Sequence, residues 1–294
     1  RMATTLLTVF VIAFVTLVSA QPWTDLQNDI MGNVLLPGTA AYDAIRDFVL
    51  RLPNDVPPDQ PRAIVQPMNT QDVSKVMQFA NLHNIPEVTA LSGGHSNDGF
   101  SFPVDGIQVE FSLMTNINVN VGQEMVDFEP GVLSGNLSTA LAPFNLGQVQ
   151  GNCPTIGTGG FFSYGGFGAF TRTQGLGSDT LIEYEIVLAN GDVKIANANQ
   201  NSDLYFAARG ALPAYGIATR FRAKVFPTSN FYGGRIFWDF NTTELAGSFL
   251  KDWYNNVNQI SDLVNDDNFM ARINIRRERS RRFIRCHLEI IFFG

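Results

Sequence analysis

Across 294 residues the chain carries 20 Lys and Arg against 27 Asp and Glu, a formal net charge of −7, with 45% hydrophobic and 16% charged residues. That balance fits a folded globular protein of one large or two ordinary domains and argues against general disorder. It also disfavours a nucleic-acid partner, because neutralising phosphates requires a basic face; the basic run from Arg276 to Arg282 reads as the solvated face of a strand or turn.

Residues 1–20 differ from the rest. Leu6 to Val18 is an almost unbroken apolar run of about 13 residues, short of the roughly 20 that span a bilayer. It ends at Val18-Ser19-Ala20, a small-x-small site directly before Gln21-Pro22. The expectation is a cleaved signal peptide, a secreted, extracellular protein and no stable membrane association. Only Arg1 supplies positive charge ahead of the run, and Met2 reads as the true start, so the chain is expected to be a fragment or translated frame. The sequons at Asn136 and Asn241 are compatible with glycosylation on that route.

In chain order, residues 21–56 read as an N-terminal segment, irregular over 21–40, and the prolines between Asn54 and Pro61 as a linker. Ala63-Ile64-Val65 is a short strand. Val73, Val76, Met77 and Ala80 have helical spacing, with Asn69 or Thr70 as cap and Pro86 closing the segment. Strands are expected at Val88–Leu91, around Ile107–Leu113 and at Met125–Glu129, then a helix near Leu137–Phe144. Asn190-Gly191 between two apolar runs predicts a hairpin with a type I′ turn. A helix at Ser202–Arg209 and a strand from Gly216 to Phe226 close this unit. Beyond about Phe231, a helix near Leu245–Val257 and a strand at His287–Phe293 are expected. Helices and strands mix without regular βαβ spacing, so the fold class is α+β.

Chemistry concentrates at the glycines. Ser92-Gly93-Gly94-His95-Ser96 follows a strand directly, and Gly151 to Gly160 forms a second loop. Glycine lets backbone N–H groups converge on an anion, so two such loops suit an extended dinucleotide diphosphate. Rival motifs fail: no Gly-Lys pair, no Gly-x-Gly-x-x-Gly between strand and helix, no Gly-x-Ser-x-Gly. Two cysteines, Cys153 and Cys286, make no disulfide scaffold, and three histidines show no metal-ligand spacing, so no metal site is expected.

Read as ordered blocks, the chain resembles the FAD-binding domain of the vanillyl-alcohol oxidase and p-cresol methylhydroxylase (PCMH) type, in its berberine-bridge-enzyme-like branch, which includes fungal oligosaccharide oxidases. The blocks are Ala63 to Pro67, Asp72-Val73, Ser92 to Ser96, Gly151 to Pro154, Gly157-x-Gly159-Gly160, Gly165 to Gly168, Gly175 to Asp179, Val187 to Gly191, Asp203 to Gly210 and Tyr215 to Thr219. The resemblance spans about residues 57–228. It implies a two-part FAD-binding domain there, followed over 229–294 by the start of an α+β substrate domain, with the chain ending inside it. It also implies FAD attached through His95 to the flavin 8α-methyl and through Cys153 to flavin C6. On that resemblance the flavin would be held by Ser92, Gly93, Gly94, Ser96, Gly157, Gly159, Gly160 and Ile217. The implied reaction moves hydride from an alcohol or sugar hemiacetal carbon to the flavin, with O2 as acceptor giving H2O2.

Several positions depart from the pattern. Leu91 stands where arginine is usual, Ser163-Tyr164 interrupts a triple glycine, and Phe206 replaces a common tryptophan. Ile156 stands where valine accompanies fast oxygen reaction, which keeps a dehydrogenase open. A cyclising oxidoreductase and a non-catalytic flavin-binding protein stay open as well. Tyr232 and Tyr254 carry no spacing that marks a base, and no catalytic base is assigned.

Overall fold

Asn69 starts the first long helix as the spacing predicts: its side chain accepts from the Asp72 amide, three residues on. In the computed structural model, which describes residues 22–48, 61–96, 98–228, 231–257, 269–278 and 283–293, that helix is the third. Before it come α1 (22–29), β1 (Asn33–Leu35), α2 (Ala40–Phe48) and β2 (Ala63–Gln66). Then follow α3 (Thr70–Leu82), β3 (Val88–Leu91), β4 (Ile107–Glu110), β5 (Ile117–Asn120) and β6 (Met125–Phe128). The middle of the chain holds α4 (Ser134–Leu141), β7 (Leu146–Gly147), α5 (Thr158–Ser163), α6 (Thr171–Gln174) and α7 (Gly177–Thr180). It continues with β8 (Leu181–Leu188), β9 (Val193–Asn197), α8 (Ser202–Ala211), β10 (Gly216–Lys224) and β11 (Phe226–Pro227). Last come β12 (Phe231–Phe240), α9 (Thr243–Val257), β13 (Phe269–Glu278) and β14 (Phe283–Phe293). The class is α+β, as expected.

Two sheets frame the site. One has order β1-β2-β4-β3, the other β5-β6-β10-β8-β9. Helix α3 lies between them: Val73, Val76, Met77 and Ala80 share one apolar cluster with Val65, Ile107 and Val109 of the first sheet and Val187 and Ile217 of the second. A polar contact reinforces this junction. Thr70 Oγ1 donates to Glu185 Oε1 at 2.5 Å, and Thr219 Oγ1 reaches the same oxygen at 2.9 Å. The far side of the second sheet carries its own core, where Phe221 packs with Phe128, Phe162 and Tyr184 at centroid distances of 5.4–5.9 Å. A third sheet, β12-β14-β13, has α9 on one face, with Phe249 against Trp238 and Phe240.

Because Asn69 caps α3 through one side-chain bond, Asn69→Ala is expected to lower stability by about 1 kcal/mol. The check is a denaturant titration in which the midpoint falls and the slope does not change.

Three expectations are corrected. The N-terminal segment is not irregular where it is described: α1 (22–29) and β1 form within residues 22–40, β1 pairing with β2. The strand expected around Ile107–Leu113 stops at Glu110, because the Met114 amide turns back onto the Phe111 carbonyl. The hairpin turn is not type I′. That turn needs positive φ at two central residues, and here Gly191 alone has it, at 86°, while Asn190 is absent from the positive-φ residues. Leu188 and Asp192 close a three-residue loop instead, the Leu188 amide donating to the Asp192 carbonyl at 2.8 Å and the Gly191 amide to the Leu188 carbonyl at 2.9 Å. Finally, β5, β12 and β13 were not anticipated. The signal segment, the linker up to Gln60 and Arg279–Arg282 lie outside the described residues.

Candidate flavin site

Strand β3 delivers the first glycine loop and β6 the segment that receives it. At Gly94 the backbone takes φ 68°, which glycine adopts without strain. The amides of Gly93, Gly94 and His95 donate to no backbone carbonyl among the described residues, leaving them available to an anion. The second loop enters α5. A Cβ on Gly93 would stand 2.3 Å from the Gly157 nitrogen and 2.4 Å from the Thr155 carbonyl; one on Gly157 would stand 2.0 Å from Ser92 Oγ. The two loops therefore touch backbone to backbone. The Pro130 carbonyl joins them further, accepting from Ser92 Oγ at 2.5 Å and from the Gly159 amide at 3.1 Å.

The second loop also replaces a missing cap. Helix α4 begins after Leu133, which has no side chain able to cap it. Its first amides, Ser134 and Gly135, donate to the Ile156 and Pro154 carbonyls at 2.8 and 2.9 Å, satisfying donors that a helix start leaves over.

Between these loops and the start of β10 opens a cleft of about 590 Å³, a size suited to a cofactor. Ser92, Gly93, Gly94, His95, Ser96, Gly157, Gly159, Gly160 and Ile217 all line it, so nine of the sequence-selected residues converge. Cys153 does not line it. It is exposed and free, and its Sγ lies 3.6 Å from Thr155 Oγ1, which in turn lies 2.9 Å from His95 Nε2. Cys286 is buried and free in β14, so the two cysteines form no disulfide; burial pushes its thiol pKa up. His83 lies against Phe79 with ring centroids 4.3 Å apart and the rings tilted, an ordinary ring contact. Sequence reasoning passed over Phe100, Phe161, Tyr164 and Thr155, the first three in the cleft wall. Thr155 lies between Cys153 and Gly157, but that spacing alone marks no role for it.

Of the departures, Leu91 is buried and packs with Phe102, so an apolar side chain has joined the core there. Tyr164 stands at the cleft mouth, and Phe206 is 79% exposed on α8. Ile156 lines the cleft, its Cδ1 2.4 Å from where a Gly151 Cβ would be.

Residues 61–197 match the model of the FAD binding domain family. This part of the chain is a member of that family. Over 80% of its length the chain is 29% identical to (R)-6-hydroxynicotine oxidase of Paenarthrobacter nicotinovorans, covering 50% of that protein. It is 32% identical to a carbohydrate oxidase of Microdochium nivale over 72% of its length and 43% of the relative's. Among solved structures, BBE-like 1 of Physcomitrella patens superposes with a TM-score of 0.78 at 26% identity, across 93% of this chain and 56% of that one. The chain thus spans about half the length of the curated relatives it matches.

The residues present fit FAD. The contacting glycine loops leave room for no side chain between them. Gly160 faces open space, with nothing within 4 Å of where a Cβ would stand. Ser101 Oγ, in the cleft wall, is buried without a hydrogen-bond partner among the described residues, as a ligand-facing group would be. Among the described residues no cluster of three or more His, Cys, Asp or Glu is arranged to hold a metal ion, and no helix is long and apolar enough to cross a membrane.

Proposed function

We propose that this chain is the flavin-holding part of a secreted oxidoreductase that takes hydride from an alcohol or sugar hemiacetal carbon, with FAD tethered through His95 and Cys153. In this reading residues 1–20 are the signal peptide, 57–228 the FAD-binding unit and 229–294 the beginning of the substrate domain. FAD bound in the cleft supplies a two-electron acceptor, and O2 takes the electrons from it to give H2O2.

One observation carries the reading: an imidazole on the first glycine loop and a thiol on the second are brought to one hydroxyl, Thr155 Oγ1, at 2.9 and 3.6 Å. The rest of the chain has plain tasks. Gly93, Gly94, Gly157, Gly159 and Gly160 admit the diphosphate, Ile217 and Phe161 supply apolar wall, and Phe100 and Tyr164 stand where a substrate would enter. The carbohydrate oxidase of Microdochium nivale favours a sugar among the alcohols.

Ile156 favours a second reading, a dehydrogenase, because its side chain occupies cleft wall beside the second loop, where it would narrow an approach for O2. One experiment separates the two. The purified protein, offered a panel of sugars and alcohols in air, is expected to release H2O2, and its reduced flavin to be reoxidised rapidly in a stopped-flow mixer. Bleaching without peroxide, and slow reoxidation, would select the dehydrogenase. No bleaching with any member would remove both.

A further inference from the structure

The second glycine loop places a hydroxyl between the two residues read as flavin tethers. Thr155 Oγ1 lies within hydrogen-bond reach of His95 Nε2 and within sulfur contact of Cys153 Sγ. Backbone contacts, not side-chain packing, fix its place. The Thr155 carbonyl closes against Gly93, and the neighbouring Pro154 and Ile156 carbonyls are held by the first amides of α4. The Ile156 amide also closes a turn onto the Cys153 carbonyl at 3.1 Å. Thr155 is therefore held rigidly at the one point that both tethers touch.

We propose that Thr155 is a positioning residue for flavin attachment, one hydroxyl that sets the reactive form of both nucleophiles. The inference rests on the reading that His95 and Cys153 are the tethers. A neutral imidazole has one N–H and one lone pair. With the proton on Nε2 and donated to Thr155 Oγ1, Nδ1 keeps its lone pair and becomes the attacking nitrogen. The Thr155 hydroxyl proton is then directed to Cys153 Sγ, where a donor favours the thiolate, the nucleophilic form of cysteine.

The bonds balance. His95 Nδ1 forms a C–N bond at the 8α carbon, which loses one hydrogen, while the Nε2 proton leaves by way of the Thr155 hydroxyl. Cys153 Sγ forms a C–S bond at ring carbon C6, replacing one C–H and one S–H. Each attachment releases two electrons and two protons, and dioxygen takes them to give one H2O2.

The test uses the full chain prepared without flavin, then incubated with FAD in air. The mass of the peptides carrying His95 and Cys153 is followed over time, beside dissociable FAD binding measured under anaerobic conditions. Thr155→Val keeps the shape and removes the hydroxyl; Thr155→Ser keeps the hydroxyl. In Thr155→Val both attachments are expected to slow by about tenfold or more, the factor carried by losing one charge-assisted hydrogen bond. Thr155→Ser should stay close to the parent rate, with dissociable binding the same in all three proteins. Parent-like attachment in Thr155→Val would overturn the proposal alone. So would equal losses in the valine and serine variants, or loss of dissociable binding in Thr155→Val. A parent protein that gains no mass on either peptide would overturn the tethering itself.

Discussion

Gly157→Ala is expected to lose its flavin and about 3 kcal/mol of stability, although alanine suits the backbone there. Gly157 has φ −76° and ψ 134°, a conformation any residue adopts. The obstacle is space. The new methyl would stand 2.0 Å from Ser92 Oγ and 2.2 Å from the Gly93 nitrogen, and backbone cannot swing aside as a flexible side chain can. Relief requires the two loops to part, and overpacking of this kind costs about 1–3 kcal/mol, occasionally more. Parting them also breaks the surface that the diphosphate would use. Gly160→Ala is the matched control, since a Cβ there meets nothing within 4 Å and its φ is not positive. It should melt with the parent. Thermal unfolding of both variants and flavin absorbance of Gly157→Ala check these statements, and equal flavin content in Gly157→Ala and the parent would refute the loop contact.

Asp72→Ala should be the most damaging change away from the cleft. Asp72 is 2% exposed at the start of α3. Its carboxylate accepts from the Met31 and Gly32 amides at 3.0 Å each and from the Met68 amide at 2.9 Å. One side chain thus fastens the segment between α1 and β1 to the strand–helix turn of the first sheet. Alanine would leave three donors without an acceptor, each costing about 1–3 kcal/mol unless water reaches it. A loss of about 4 kcal/mol, roughly a 10 °C fall in melting temperature, is expected. Limited proteolysis should cut the region before residue 40 earlier than in the parent. A shift under about 1 kcal/mol would mean that water replaces the carboxylate.

The site was more legible in the sequence than the fold around it. Both glycine loops are local signals, and a strand ending in Ser-Gly-Gly-His-Ser can be read without knowing what it meets. Helix α3 was legible because its apolar period and its cap lie within a dozen residues. What escaped depends on distant partners. Strand β1 is three residues long and exists because it pairs with β2, across the segment carrying α2. Strand β12 has Gly233-Gly234 inside it, which weakens any strand signal, yet it pairs along its whole length with β14. The type I′ expectation failed for a subtler reason. Asn-Gly favours that turn by local propensity, but Gly191 closes against Ser74 and Gln78 of α3, and Ser74 Oγ donates to its carbonyl at 2.6 Å. A tertiary contact thus fixes the loop beside α3. Thr155 was missed because its importance lies in what its hydroxyl touches, which spacing does not reveal.

The central claim is that an imidazole and a thiol, set on two interlocked loops, both bond to one flavin. Denaturing the protein, digesting it and weighing the peptides that contain His95 and Cys153 tests this most directly. The account predicts that both leave the digest joined to a single FAD, with yellow colour surviving acid precipitation. Colourless protein whose two peptides have their unmodified masses would contradict it.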